Sequence, residues 1–285
     1  PDRLPVSRAG ALVPGQAATF TPARESWLLN FAQGENEMTV QLNGNVVPSD
    51  LVDAEVRIRA VVFNVHNTNR QFVRANLQVP APAMIEVLRS PPSDPFALPV
   101  QPVGSLLRFS RTGFDGHRVR VRGTVTGQST GQSLWVRAGD RGMRIDSALA
   151  DALAPGDEVD IVGFPKHGSY TPSLGDAIFR KVGAGPAPAP LLLRSAEEVS
   201  QHDANLVQLY ATLRELRATP DGPVLVLDWQ GIEVVARFLG GGITEEVATW
   251  RAGSSLRVDG ICSVGQINYR RPTGRWVAQD LQLLL

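Results

Sequence analysis

The chain has a single cysteine, Cys262, among its 285 residues, so no disulfide can form within it. It also has no surplus of either charge, because 28 lysine and arginine residues balance 28 aspartate and glutamate residues. A dedicated nucleic-acid-binding protein usually carries a basic excess, since neutralising phosphates drives its affinity. The charge balance therefore argues against nucleic acid as the main partner, although it leaves room for a local basic patch.

Long apolar runs are also missing. No segment approaches the roughly 18 apolar residues of a membrane-spanning helix, and no charged start followed by an apolar run marks a secretion signal. The chain begins at a proline and not at a methionine, so we expect it to be a piece of a longer protein. Its hydrophobic content of 43% and charged content of 20% are typical of a folded protein and exclude a disordered one.

Sequence signatures of catalysis and metal binding are missing as well. The chain contains no Gly-x-Ser-x-Gly, His-Glu-x-x-His, P-loop or Cys-x-x-Cys motif. The histidines do not have the spacing of metal ligands; they are His66, His117, His167 and His202. We therefore predict that this piece has no catalytic residue, no cofactor and no metal site.

What the sequence does contain is one strand pattern in five copies. An alternating strand whose fifth residue is Gly or Ala occupies residues 56–62, 119–125, 159–165, 207–213 and 256–262. Three copies follow a turn signal and a hydrophobic anchor, whereas the copies at 119–125 and 207–213 follow a helix-like stretch and an aspartate. Because the two kinds alternate along the chain, we interpret them as the fourth and first strands of a repeated unit.

Further strand candidates complete each unit. A hairpin follows the first strand, with Asp140-Arg141 as its turn in the middle unit and Gln230-Gly231 in the last. A fifth strand follows each fourth one, in the segments FVRANLQV, DAIFRKVG and RWVAQDLQLLL. Between the third and fourth strands of the middle unit, residues 147–157 predict a short helical turn.

Five strands with an insert between the third and the fourth have the order of the OB-fold. The Gly and Ala positions fit this fold, since small residues mark sharp bends in the strands of a small barrel. We therefore predict an all-β chain of three tandem five-stranded OB-like Greek-key barrels, joined by Pro-rich linkers with short helices. The expected divisions are residues 1–90, 91–190 and 191–285, the last two each beginning with a linker. Another all-β sandwich is the alternative.

Candidate ligand-binding residues follow from the fold, because OB-folds bind on the face of their second and third strands and with the adjoining loops. The aromatic, arginine and histidine residues in these places are Trp135, Arg137, Arg144, His167, Tyr170, Trp229, Arg237, Tyr269, Arg270 and Arg271. Aromatic residues mixed with arginines are typical of single-strand binding. The competing interpretation assigns the tryptophans to the barrel cores and the arginines to solvated loops.

One part of the chain carries a family resemblance. The run GDEVDIVGFPKHGSYTPSLGDAIFRKVGAGPAPAP, with the preceding EVLRSPPSDPFALPVQPVGSLLRFS, resembles the tandem OB-like repeats in extracytoplasmic sensor regions of bacterial membrane-bound histidine kinases and diguanylate cyclases. The resemblance is strongest from about residue 51 to residue 190. It implies a periplasmic sensor region at the bacterial inner membrane, with the membrane anchor and the kinase or cyclase elsewhere in the parent protein. It brings no ligand-binding or catalytic residue with it.

The sequence is compatible with three functions. The first, which we predict, is the sensory region of a two-component-type signalling protein that binds a small molecule, a glycan or a protein and works as a homodimer by analogy. The second is a nucleic-acid-binding OB-fold array, which a continuous basic stripe would favour. The third is a secreted carbohydrate-binding protein.

Overall fold

The structure is a computed structural model that describes residues 4–5, 26–33, 36–43, 51–106, 116–168, 170–220, 222–239, 247, 249–265 and 281–285. Regular structure in these residues is almost entirely β-strand, with short 3₁₀ turns between the strands. The predicted all-β class is therefore confirmed. By its internal contacts the chain divides into two compact units, Pro1–Ala97 with Phe109–Arg118, and Leu98–Arg108 with Val119–Leu285.

The first unit contains two small sheets. Its strands are β1 (Leu4–Pro5), β2 (Ser26–Gln33), β3 (Asn36–Asn43), β4 (Glu55–Ile58), β5 (Val61–His66), β6 (Phe72–Val79) and β7 (Ile85–Arg89). One sheet has the order β1-β4-β7 and the other the order β2-β3-β6-β5. Both sheets contribute to one apolar core, in which Phe31, Leu42 and Val56 are buried.

The strand predicted at 56–62 is divided in this unit. β4 ends at Ile58, β5 begins at Val61, and the two pieces belong to different sheets. At the break, the amide of Arg59 donates to the carbonyl of Met84 at 3.0 Å, and Ala60 is the small residue of the repeated pattern. A small residue in this strand thus marks a bend so sharp that it ends the pairing.

The second unit begins with a closed barrel, here called the middle barrel. Its strands are β8 (Val119–Ser129), β9 (Ser133–Ala138), β10 (Arg141–Asp146), β11 (Asp157–Lys166) and β12 (Ser173–Ala184). They close in the order β10-β12-β11-β8-β9, with β10 and β12 parallel and the other neighbours antiparallel. The first strand therefore lies between the second and the fourth, and the fifth lies beside the third. This is the strand order that the sequence predicts.

The repeated small residue allows the strands of this barrel to approach closely. A Cβ atom on Gly123 would lie 3.0 Å from the carbonyl oxygen of Arg137. A Cβ atom on Gly163 would lie 2.9 Å from the Cβ of Ala177. Larger side chains at these two positions would push the neighbouring strand away, because protein interiors are close-packed.

The last strands of the chain are β13 (Leu191–Leu192), β14 (Leu206–Thr219), β15 (Gly222–Trp229), β16 (Ile232–Arg237), β17 (Ser255–Val264) and β18 (Leu281–Leu284). β14 pairs with both β15 and β17, so β14 to β18 are paired in a ring, here called the last ring. Its strand order is that of the middle barrel, with β16 and β18 parallel. Leu209, Leu227 and Cys262 are buried inside it.

The two predicted hairpins are present, and one turn is displaced. Arg141 pairs with Ala138, so the middle turn consists of Gly139 and Asp140 and not of Asp140 and Arg141. Gly139 has a φ of +67°, which a glycine adopts without strain. The turn at Gln230 and Gly231 is where the sequence places it, and the φ values of +56° and +80° are typical of a type I′ turn.

The helical turn predicted at 147–157 is wrong, because this segment is irregular. Side chains bind the backbone groups that a helix would have paired. The Ser147 hydroxyl donates to the carbonyl of Ala177 at 2.7 Å, and Asp157 Oδ2 accepts from the amide of Ala154 at 3.0 Å. Such local bonds compete with helix formation. The short helices expected in the linkers are 3₁₀ turns at Pro95–Ala97, Val103–Ser105 and Val199–His202.

Candidate binding site at the junction of the middle barrel and the last ring

The middle barrel and the last ring pack together around Trp135. Its neighbours Leu134 and Val136 belong to the core of the middle barrel, so Trp135 points outward from that barrel. Its side chain is nevertheless only 5% exposed, because it is clustered with Ala204 and Ile261. Trp135 therefore fills the junction between the two bodies and not the core of either.

Backbone segments also meet at this junction. A Cβ atom on Gly142 would lie only 2.2 Å from the carbonyl oxygen of Ala204, so only glycine allows this approach. Beside it, Asp203 Oδ2 accepts from the hydroxyl of Thr171 at 2.9 Å, and Asp203 Oδ1 accepts from the amide of Val264 at 3.1 Å. The Asp203 carboxylate thus binds a loop of the middle barrel and a strand of the last ring at once.

Arg137 makes a third link across the junction. Its Nη1 donates to the carbonyl of Ala189 at 2.8 Å, and its Nη2 donates to the carbonyl of Leu206 at 3.0 Å. Burial lowers the pKa of Arg137, since a charged group loses hydration when it leaves water. Within the described residues no carboxylate pairs with this guanidinium, so only carbonyl dipoles and solvent balance its charge.

Several clefts border the junction, with volumes of about 290, 360 and 630 Å³. Small-molecule sites usually have volumes of this order. The members of the candidate set that line these clefts are Trp135, Arg137, Arg144, His167, Tyr170 and Arg237. The structure therefore brings six of the ten candidates to one junction, where they are divided among neighbouring clefts.

The two smaller clefts share one wall. Trp135 and Arg144 line both of them; Arg237 completes the first and His167 the second. The Arg144 guanidinium is already engaged, since its Nε donates to Asp146 Oδ1 at 2.9 Å. The positive charge facing these clefts is therefore partly neutralised.

The remaining candidates do not join this group. Trp229 is 2% exposed and belongs to the core of the last ring. Tyr269, Arg270 and Arg271 lie outside the described residues. Ligand binding by any of the ten residues stays a prediction.

The largest cleft also contains residues that the sequence did not single out. Arg141 comes from the β9–β10 hairpin, His202 from a 3₁₀ turn, and Asn205 from the entry to β14. These residues come from separate parts of the sequence, and no motif spacing relates them. Only the packing of the last ring on the middle barrel brings them together.

Several other arginines are paired with carboxylates on the outer surface of the strands. Asp160 is buried and accepts from Arg120 at 2.6 Å and from Arg122 at 2.7 Å, with Arg180 at 3.4 Å. The hydrogen bond from Arg122, together with the one from Arg120, lowers the pKa of Asp160 to about 2. In the last ring, the guanidinium of Arg214 pairs with Asp228 in the same way. These guanidinium groups have local partners, which reduces the charge they offer to a polyanion.

The described part of the chain contains neither a membrane-spanning helix nor a metal-binding cluster. None of its helices is long and apolar enough to cross a membrane. It also holds no group of three or more histidine, cysteine, aspartate or glutamate side chains arranged to bind a metal ion.

No family model matches the chain, and no curated protein matches it. Among solved structures, it is similar to a murine DNA-binding protein bound to double-stranded DNA, at 13% identity and a TM-score of 0.32, over 58% of this chain and 92% of that one. It is similar to the p204 HINb domain at 12% identity and a TM-score of 0.26, over 64% of this chain and 96% of that one. It is also similar to a replication protein A heterotrimer bound to single-stranded DNA, at 11% identity and a TM-score of 0.28, over 99% of this chain and 90% of that one. Structural similarity at these TM-scores is too low to indicate the function of this chain.

Proposed function

We propose that the chain is the extracytoplasmic sensory region of a bacterial membrane-bound signalling protein of the two-component type, with no catalysis in this piece. On this proposal it consists of three tandem OB-like barrels, at residues 1–90, 91–190 and 191–285, joined by Pro-rich linkers. The resemblance of residues 51–190 to such regions and the strand order of the middle barrel support it. The output kinase or cyclase would lie elsewhere in the parent protein.

The observation that carries the proposal is the position of Trp135. An OB-fold that binds a single strand stacks bases on aromatic side chains of its open sheet face. Here the aromatic residue of the second strand is covered by Ala204 and Ile261, and clefts of small-molecule size remain beside it. The arrangement favours a small ligand over an extended polymer.

A ligand at this junction would have a direct route to a signal. The cleft walls come from both the middle barrel and the last ring, so a bound molecule contacts both. Binding can then favour one mutual arrangement of the two bodies, by as much as the ligand prefers it. A sensory region needs a coupling of this kind.

Binding of labelled single-stranded oligonucleotides across a salt series tests the proposal. We expect no saturable binding at physiological salt, because the net charge is zero and several surface arginines are paired. Tight binding that weakens steeply with salt would overturn the proposal in favour of a nucleic-acid-binding array, since that slope reports released phosphate counterions. A parallel thermal-shift screen of metabolites and glycans should find a stabilising small molecule, as expected for a ligand that binds only the folded state. If glycans alone stabilise the chain, the ligand is a carbohydrate, which is compatible with both a sensory region and a secreted carbohydrate-binding protein.

A further inference from the structure

The cleft of about 630 Å³ beside Arg137, here called the Arg137 cleft, is the largest of the three. Its walls come from the β9–β10 hairpin, the loop after β11, β13 and the 3₁₀ turn before β14. Arg137 and Arg141 lie on one side, and His202 and Asn205 come from the segment that leads into the last ring.

The charges of this cleft are not balanced. Arg137 is partly buried and donates only to two carbonyl oxygens, and Arg141 forms no ion pair in the described part of the chain. Asp140 is the one carboxylate residue of the described lining, and it is exposed at the tip of the hairpin. The lining therefore carries one more positive charge than negative charge.

Three buried polar atoms of the lining residues have no hydrogen-bond partner among the described residues, and one of them is Arg137 Nε. Asn205 is 1% exposed and its Oδ1 accepts no bond, and His202 Nδ1 is likewise unpaired. Buried side-chain polar groups in proteins nearly always have a partner, so such atoms cluster where binding or strain is built in. Asn205 Oδ1 is an acceptor, so it suits a hydroxyl or amine group of a ligand, whereas the guanidinium groups of the cleft suit an oxyanion.

We propose that the Arg137 cleft binds a small molecule bearing an oxyanion, a carboxylate or a phosphate. The oxyanion accepts from the Arg141 guanidinium, whose planar fork suits both groups, and it supplies the negative charge that Arg137 lacks. The ring of Tyr170, which is 45% exposed, can cover the remainder of the molecule. This inference rests on the proposed function, because it names the class of ligand that the junction senses.

Calorimetric titration of the whole chain with inorganic phosphate, and separately with citrate, tests the inference at constant ionic strength. Arg141→Gln is the informative variant, because Arg137 holds two backbone carbonyls and its loss would open the junction. Arg251→Gln is the matched control, since Arg251 is exposed, forms no ion pair in the described residues and does not line the cleft. We expect at least one anion to bind, Arg141→Gln to weaken that binding about tenfold and Arg251→Gln to leave it unchanged.

The two arms separate the sources of the oxyanion. Binding of phosphate alone assigns a phosphate ester, and binding of citrate alone assigns a carboxylate. Absence of binding by either anion up to about 10 mM would overturn the inference, as would equal weakening by both variants.

Failure of this inference can be told apart from failure of the proposed function. If neither anion nor oligonucleotide binds, the result contradicts the oxyanion site but is compatible with the proposed sensory function. One phosphate in the cleft would give a single-strand salt slope of only about −0.7, whereas an array that contacts many phosphates would give a multiple of that value.

Discussion

The second strands of the middle barrel and of the last ring each contain a tryptophan, and the two side chains lie on opposite faces. Trp229 shares its face with Leu227 and fills the core of its own ring. Trp135 alternates with Leu134 and packs outward against Ile261. Both are nearly fully buried, so burial alone does not distinguish them. What distinguishes them is whether the side chain lies on the core-facing side of its strand. Trp229 does and stabilises its own ring, whereas Trp135 does not and joins the two bodies.

The outer faces of the two bodies differ as well. Between the first and fourth strands of the middle barrel, Asp160 lies opposite Arg122 and is buried beneath its arginine partners. At the corresponding place in the last ring, Tyr210 lies opposite Arg257 and is 62% exposed. The same strand pairing thus carries a closed ionic network in one body and an open surface in the other.

Substitution of the core tryptophan should have the largest effect. We expect Trp229→Ala to lower the free energy of unfolding by about 3–5 kcal/mol, because it removes a large side chain from a packed core. Urea denaturation followed by circular dichroism measures the change. Tyr210→Ala, which truncates an exposed aromatic residue of the same ring, should change it by less than about 0.5 kcal/mol. Equal effects would contradict the assignment of Trp229 to the core.

Substitution of the joining tryptophan should separate the two bodies. We expect Trp135→Ala to lower the free energy of unfolding by about 2–3 kcal/mol, the value for losing the burial of a large apolar side chain. Each core stays intact, so the single urea transition of the two bodies should become two transitions. A variant that is destabilised but still unfolds in one step would contradict the joining role.

The ionic network of the middle barrel should make its stability depend on pH. The folded pKa of Asp160 is about 2, against 3.8 for an unperturbed aspartate, so its contribution is complete above about pH 4 and is lost as the pH falls through about 2. Asp160→Asn should lower the free energy of unfolding by about 2 kcal/mol at neutral pH. This is less than for a fully buried pair, because Arg122 and Arg180 are about half exposed and remain hydrated.

Asp259→Asn is the control for this network, since Asp259 pairs with Arg257 at 3.6 Å on an exposed surface. We expect a change of less than about 0.5 kcal/mol for this variant. Acid titration of stability should show a smaller loss between pH 4 and pH 2 in Asp160→Asn than in the unsubstituted chain. If Asp160→Asn loses as much stability between pH 4 and pH 2 as the unsubstituted chain, Asp160 is not the cause of that loss.

A methyl group at the backbone contact of the junction should have the smallest effect that can still be measured. Gly142→Ala introduces a Cβ that meets the Ala204 carbonyl, so we expect a cost of about 1–2 kcal/mol from forced separation. Gly185→Ala is the control, because its Cβ would meet only an oxygen 3.8 Å away. Hydrogen exchange near Ala204 should accelerate in Gly142→Ala alone.

The sequence predicts the strands better than it predicts how the bodies associate. Alternation and small residues in the first and fourth strands gave the order of the middle barrel, because these patterns report local bends and local faces. The three consecutive apolar residues around Trp135 indicate burial on both faces of β9 but not what covers the outer face. The Arg137 cleft could not be predicted, since Arg141 and Asn205 lie on different bodies that meet only after folding.

Residual dipolar couplings of the backbone amides can measure directly whether Trp135 holds the middle barrel and the last ring in one preferred arrangement in the unliganded chain. We expect a single alignment tensor to fit the couplings of both bodies, and the couplings of Trp135→Ala to require two tensors. Two different tensors in the unsubstituted chain would exclude such an arrangement, because the clefts at the junction would then have no fixed walls.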